Sequence, residues 1–178
     1  MWKEVLGFWF GEVDPAQWWR VDPAFDAHLA GRFSGQWRQA AAGELFAWRS
    51  CARGRLAEVI VLDQFSRNIQ RGTPLAFAQD AMALALAQEA VAAGALAALA
   101  ETERGFLLMP YMHSESRLIH AHAEALFRQY ATDDSYRFEL RHQAIVERFG
   151  RYPHRNAILG RESTDEETEF LKQPGSVF

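Results

Sequence analysis

At Asp22-Pro23 and again at Thr73-Pro74 a residue that caps helices is followed at once by proline. A capping side chain satisfies a free backbone N–H at a helix start, and proline at the first helical position gives up an N–H that has no partner there. After the first pair, Phe25, Leu29, Phe33 and Trp37 recur at four-residue spacing and form one apolar helical stripe. Similar start and stop signals recur to the end of the chain, and strand signals are almost absent. Gly43 and Gly54 punctuate the region before a helix over Leu56 to Ile69, which Arg71-Gly72 closes. Val59 to Leu62 alone would pass for a buried strand, but helical neighbours make it helix. Thr73-Pro74 opens a long central helix that Gly94 stops. Thr102 caps a segment that ends at Pro110, Ser114 a helix to about Tyr130, and Asp133 or Asp134 a helix to Phe149. The last helix starts at Ser163 or Thr164, where two capping-box registers overlap, with Glu166 and with Glu167. The expected fold class is all-α, with about seven helices in antiparallel hairpins, forming a single domain over residues 1–172 with a tail at 173–178.

With 178 residues, 49% hydrophobic and 24% charged, the chain has globular composition and length for one core. Thirteen Phe, six Trp and four Tyr imply an aromatic core or an aromatic-lined pocket. A net charge of −4 offers no general attraction for nucleic acid, which is excluded as the default partner. The single cysteine, Cys51, forms no intrachain disulfide and reads as structural. The apolar stretch Val5 to Phe10 is too short for a secretory signal. Ala81 to Ala100 contains Gln88, Glu89 and Gly94 and reads as an Ala-rich buried helix, not a membrane span. A cytoplasmic protein with no membrane partner is expected.

Polar chemistry collects in three places. Asp63, Arg67 and Arg71 share a helix face, with Gln64 and Asn68 alongside. Asp63 could hold Arg67 so that an arginine grips an anion, or the pair could be a surface salt bridge worth little. Around Pro110 to Glu115, His113 and Glu115 stand at a helix start and could form an acid/base pair, or serve as ordinary capping neighbours. The stretch from Arg148 to Arg161 holds four arginines and no acid, and glycine and proline mark it as a loop. Arg151, His154, Arg155, Asn156 and Arg161 make it the best candidate anion site; alternatively its arginines tie helix ends to the acidic last helix.

His120 and His122 lie two apart on a helix and point away from each other, and the chain has no HExxH and no cysteine pair. No metal and no cofactor is assigned. GxSxG, GxxxxGK, GxGxxG and CxxC are all missing, which removes motif support for serine hydrolase, P-loop, Rossmann and thioredoxin-like readings.

Taken jointly, Val5 to Phe10, Asp22 to Asp26, Asp63 to Asn68, Phe77 with Asp80, Phe106 to Glu115, Phe149 to Asn156, Leu159-Gly160-Arg161 and Ser163-Thr164 with Glu166 and Glu167 resemble the bacterial domain-of-unknown-function family 924. The resemblance covers nearly the whole chain and implies an all-helical, tetratricopeptide-like fold in which the polar clusters meet in one pocket. It implies no reaction. Ser66 and His120 depart from it, since proline and glutamine are frequent at those positions.

Two functions follow. In one, Asp63, Gln64, Arg67, Asn68, Arg71, Arg151, Arg155, Asn156 and Arg161 line a groove that binds a small anionic molecule or an acidic peptide. In the other, His113 or His154 is the acid/base of a small enzyme, helped by Asp63 or Glu115, with arginines stabilising negative charge.

Overall fold

A computed structural model describes residues 1–177. Among these, eight helices and no strand form a single domain. Helix α1 (residues 2–12) joins an α-helical Trp2–Gly7 to a π-helical Phe8–Glu12. It is followed by α2 (Pro23–Ala41) and by α3 (residues 52–69), in which a π-helical turn, Val61–Phe65, sits between Ala52–Ile60 and Ser66–Ile69. Then come α4 (Asp80–Ala92), α5 (Glu101–Met112), α6 (Arg117–Tyr130), α7 (Asp133–Phe149) and α8 (Asp165–Leu171).

Several starts follow the local chemistry directly. Asp22 accepts hydrogen bonds from the N–H groups of Ala24 and Phe25 with Pro23 behind it, and Leu29 and Phe33 of the stripe are fully buried. Thr164 and Glu167 form the capping box of α8, so the second of the two registers is used. Gly94 and Gly150 stop α4 and α7 in the left-handed conformation that glycine adopts without a Cβ penalty.

Other starts and stops differ, because tertiary packing overrides a local signal. Thr73-Pro74 begins only a 3-10 turn, Pro74–Ala76, and α4 starts at Asp80. Pro110 lies inside α5, which runs on to Met112. Ser116, not Ser114, caps α6, and Thr132, not Asp133 or Asp134, caps α7. The expectation of about seven helices holds, with α1 the one that carried no start signal. Residues 173–177, expected as part of a frayed tail, form turns in which buried Ser176 donates to the carbonyl of Leu171, while Phe178 lies outside the described residues.

The central helix is α3, not the Ala-rich α4. Every residue from Leu56 to Ser66 is buried, and α1, α2, α4 and α5 pack around it. Most of the aromatic inventory goes here: Trp9 lies 5.5 Å from Phe65 and 5.7 Å from Phe106, ring to ring. On the far side α5, α6 and α7 pack in sequence, and no helix among the described residues is long and apolar enough to cross a membrane.

Gly54 does not punctuate; it lies inside α3, pressed against the preceding turn Phe46–Ser50. A Cβ there would stand 2.0 Å from the carbonyl oxygen of Trp48 and 2.9 Å from its carbonyl carbon, both backbone. Gly54→Ala should add about 1 kcal/mol of helix propensity. Overpacking against rigid backbone should remove up to about 3 kcal/mol, so a net loss of about 1–2 kcal/mol is expected. Urea unfolding measures it, and a stabilised variant would refute this account of the contact.

Candidate functional site

The π-helical turn of α3 places Asp63 in the core with its backbone among Val, Leu and Phe neighbours. Single π-helical turns inside α-helices occur frequently at functional sites. Asp63 is 1% exposed, and each of its carboxylate oxygens is used. Its Oδ1 lies 2.7 Å from Nδ1 of His113, at the end of α5, and 3.0 Å from Nη1 of Arg67, one turn on. Its Oδ2 accepts from Nε2 of Gln64 at 2.6 Å. Burial pulls the Asp63 pKa up, but Arg67 and His113 outweigh it and hold the group well below the usual carboxylate range.

Arg67 carries the network onward. It grips Asp80, in the first turn of α4, through two bonds of 2.9 and 3.1 Å. Asp80 also accepts from Arg155 at 3.2 Å, and Arg155 donates to the carbonyl of His113 at 3.1 Å. The Arg155 guanidinium is stacked between Phe77 and Tyr152, 4.7 and 4.6 Å from their ring centres. Asp63, Gln64, Arg67, His113 and Arg155 are thus one connected group drawn from three distant stretches of chain.

A second group adjoins it. Glu115 holds Arg161 through bonds of 2.6 and 2.9 Å and accepts from the Tyr152 N–H at 2.8 Å. Arg161 reaches Asn156, Asn156 reaches Glu167, and Arg151 pairs with Glu167 at 2.6 and 2.8 Å. This lattice ties the Arg148 to Arg161 segment to the start of α8. Asn68 and Arg71 stand apart: Arg71 pairs with Asp26 of α2, and Asn68 bonds the Gln64 carbonyl and Arg71. The single convergence of all three clusters is therefore partial. His154, in the 3-10 turn Pro153–Arg155, stacks 5.7 Å from Tyr152 and has its pKa pushed down to about 4 by burial and by Arg155.

Tyr152, Asp80 and a buried pair on α6 and α7 were not singled out as site residues. The Tyr152 hydroxyl donates to the carbonyl of Met112 and lies 3.1 Å from Nε2 of His120. His120 Nδ1 lies 2.7 Å from Glu139, and Nε2 lies 2.9 Å from the carbonyl of Ser114. Since a carbonyl only accepts, Nε2 carries the hydrogen. Burial pushes the Glu139 pKa up, against the pull of His120. A signal for Asp80 did exist, because it is the one charge between Arg71 and Glu89. Nothing local marked His120 and Glu139, which meet only through helix packing.

His113, Asp80, Ser114, Glu115 and Arg155 line a cleft of about 410 Å³ together with Phe77, Leu84, Pro110 and Leu159. Pro74, Ala78 and Ala81 are exposed at its rim. With Nδ1 committed to ionised Asp63, Nε2 of His113 makes no hydrogen bond among the described residues and is not a buried atom. Burial and Arg67 push the His113 pKa below its ordinary value, against the pull of Asp63. The ring is therefore neutral near pH 7 with its lone pair on Nε2. No group of three His, Cys, Asp or Glu among the described residues is arranged to hold a metal ion.

The family described as bacterial protein of unknown function (DUF924) matches residues 5–175. A solved structure, that of the protein of unknown function ATU0120 from Agrobacterium tumefaciens, superposes with a TM-score of 0.91 at 37% identity over 96% of each chain. No curated protein matches the chain.

Proposed function

The chain belongs to the DUF924 family of bacterial proteins of unknown function, and from that premise we propose that its cleft holds a small molecule on which His113, oriented by Asp63, acts as acid and base. The observation that carries this reading is the 2.7 Å contact between a fully buried carboxylate and an imidazole that lines a cleft of about 410 Å³. That volume suits a small ligand. Asp63 fixes which nitrogen carries the hydrogen and stabilises the imidazolium once Nε2 takes a proton. Arg67 and Gln64 keep Asp63 ionised and unable to rotate. His154 is the weaker candidate, because its low pKa makes it a poor proton acceptor near neutrality.

A binding-only reading, with an anion received by arginine, is favoured by one observation: Arg155 lines the cleft. It ranks second because Arg67, Arg71, Arg151, Arg155 and Arg161 each already hold a carboxylate.

Diethyl pyrocarbonate, which acylates an unprotonated imidazole nitrogen, tests the acid/base reading. His113 should be labelled alongside exposed His28 and His122, and Asp63→Asn should slow labelling of His113 by about tenfold while leaving the other two unchanged. If His113 stays unlabelled in the folded protein, its lone pair is not available and the reading fails.

A further inference from the structure

The charges along the cleft are already matched. Both oxygens of Asp80 are taken by Arg67 and Arg155, and both oxygens of Glu115 by Arg161 and the Tyr152 N–H. What the wall shows to solvent is more acidic than basic: the side chains of Asp80 and Glu115 are 20% and 26% exposed, that of Arg155 only 6%. An incoming carboxylate or phosphate would face two carboxylates and a guanidinium committed elsewhere. An incoming ammonium would find only the acceptor capacity that the arginines leave on Asp80 and Glu115. Either charge would be desolvated with at most a shared partner.

Apart from the buried Nε of Arg155, hydrogen-bonding capacity is unspent at two neighbouring lining residues. Nε2 of His113 offers a lone pair. The Ser114 hydroxyl accepts from the Ser116 N–H, which leaves its own hydrogen to donate. Beyond them the cleft is apolar, walled by Phe77, Leu84, Pro110 and Leu159. Given the reading of this cleft as the functional site, we infer that its ligand is an uncharged molecule with a short apolar limb and one head group that both donates and accepts a hydrogen bond, as an alcohol or a carboxamide does. The head lies against His113 and Ser114, and the limb along Leu84 and Leu159.

Butyramide and butyrate make the discriminating pair, having the same limb and nearly the same shape and differing in the charge of the head. Each is titrated into the full chain alongside inorganic phosphate, following the ring signals of His113 and the methyl signals of Ala81, Leu84 and Leu159 by NMR. Butyramide should shift both sets and bind about tenfold more tightly than butyrate, a difference of about 1.4 kcal/mol. Ala81→Trp, at the exposed rim, should abolish the shifts while leaving the helical circular dichroism unchanged; Ala78→Phe serves where that variant does not fold. Tighter binding of butyrate or phosphate overturns the inference and leaves the acid/base reading standing. Methyl shifts from butyramide with an unmoved His113 ring overturn the placement of the head group, and with it both the inference and the acid/base reading. Methyl signals that respond to no probe overturn the inference.

Discussion

Replacing Asp63 with alanine is expected to cost about 3–5 kcal/mol of folding stability, among the largest losses from any single substitution in this chain. Asp63 is the shared acceptor of His113, Arg67 and Gln64 and is 1% exposed. Its removal leaves Arg67, itself largely buried, with a positive charge that Asp80 must balance while also serving Arg155. It also leaves a small cavity in the most buried stretch of α3. In a domain of this length the loss corresponds to a fall in Tm of about 6–20 °C. Arg71→Ala is the control: its pair with Asp26 lies at the surface, and such pairs are worth about 1 kcal/mol or less. Chemical denaturation of both variants decides the matter. If Asp63→Ala costs no more than Arg71→Ala, the buried network is not an energetic unit.

The second large effect is a loss of stability in mild acid. Burial pushes the pKa of His142 down to about 3, and burial together with Arg155 pushes that of His154 down to about 4. The unfolded chain protonates each near pH 6.5. Between those limits the unfolded state binds protons that the folded state refuses, so stability is full above about pH 6.5 and falls as pH drops. The slope approaches about 1.4 kcal/mol per pH unit for each histidine as the unfolded chain becomes fully protonated, so the two together remove about 3 kcal/mol between pH 6.5 and pH 5. The depressed pKa values of Asp63, Glu115 and Glu167 add to the loss only below the ordinary carboxylate range. Glu139 works the other way: its raised pKa contributes stability at low pH that is lost as pH rises through its folded value. Unfolding midpoints at pH 7, 6 and 5 measure the sum, and His142→Asn should flatten the slope by about one proton. Equal midpoints at pH 7 and pH 5 would show that these histidines are not held neutral.

Both expectations concern contacts that differ in how far they could be read from the chain. Asp63 and Arg67 are one helical turn apart, so their pairing was legible as a shared face. The partners that make the pair a site were not. Asp80 lies 13 residues beyond Arg67, His113 lies 50 beyond Asp63, and Arg155 lies 75 beyond Asp80. No periodicity connects residues on separate helices. The Arg148 to Arg161 segment was open to two readings, free positive charge or ties to the acidic last helix, and in space its arginines find Glu115, Glu166, Glu167 and Asp80.

What the amino-acid order determined by itself was whatever is decided within one or two helical turns: the caps at Asp22 and Thr164, the glycine stops at 94 and 150, the apolar stripe of α2, and hence an all-helical chain. Capping and periodicity are signals carried within about four residues, so they can be read before the partners of each helix are known. Tertiary structure alone decided which helix is central, that α4 begins at Asp80 and not at Thr73, that α5 continues through Pro110, and that His113 and not His154 shares a cleft with Asp80 and Arg155. Those outcomes depend on which surfaces are buried together and on which charges then find partners, and both are set by contacts between segments far apart in the chain.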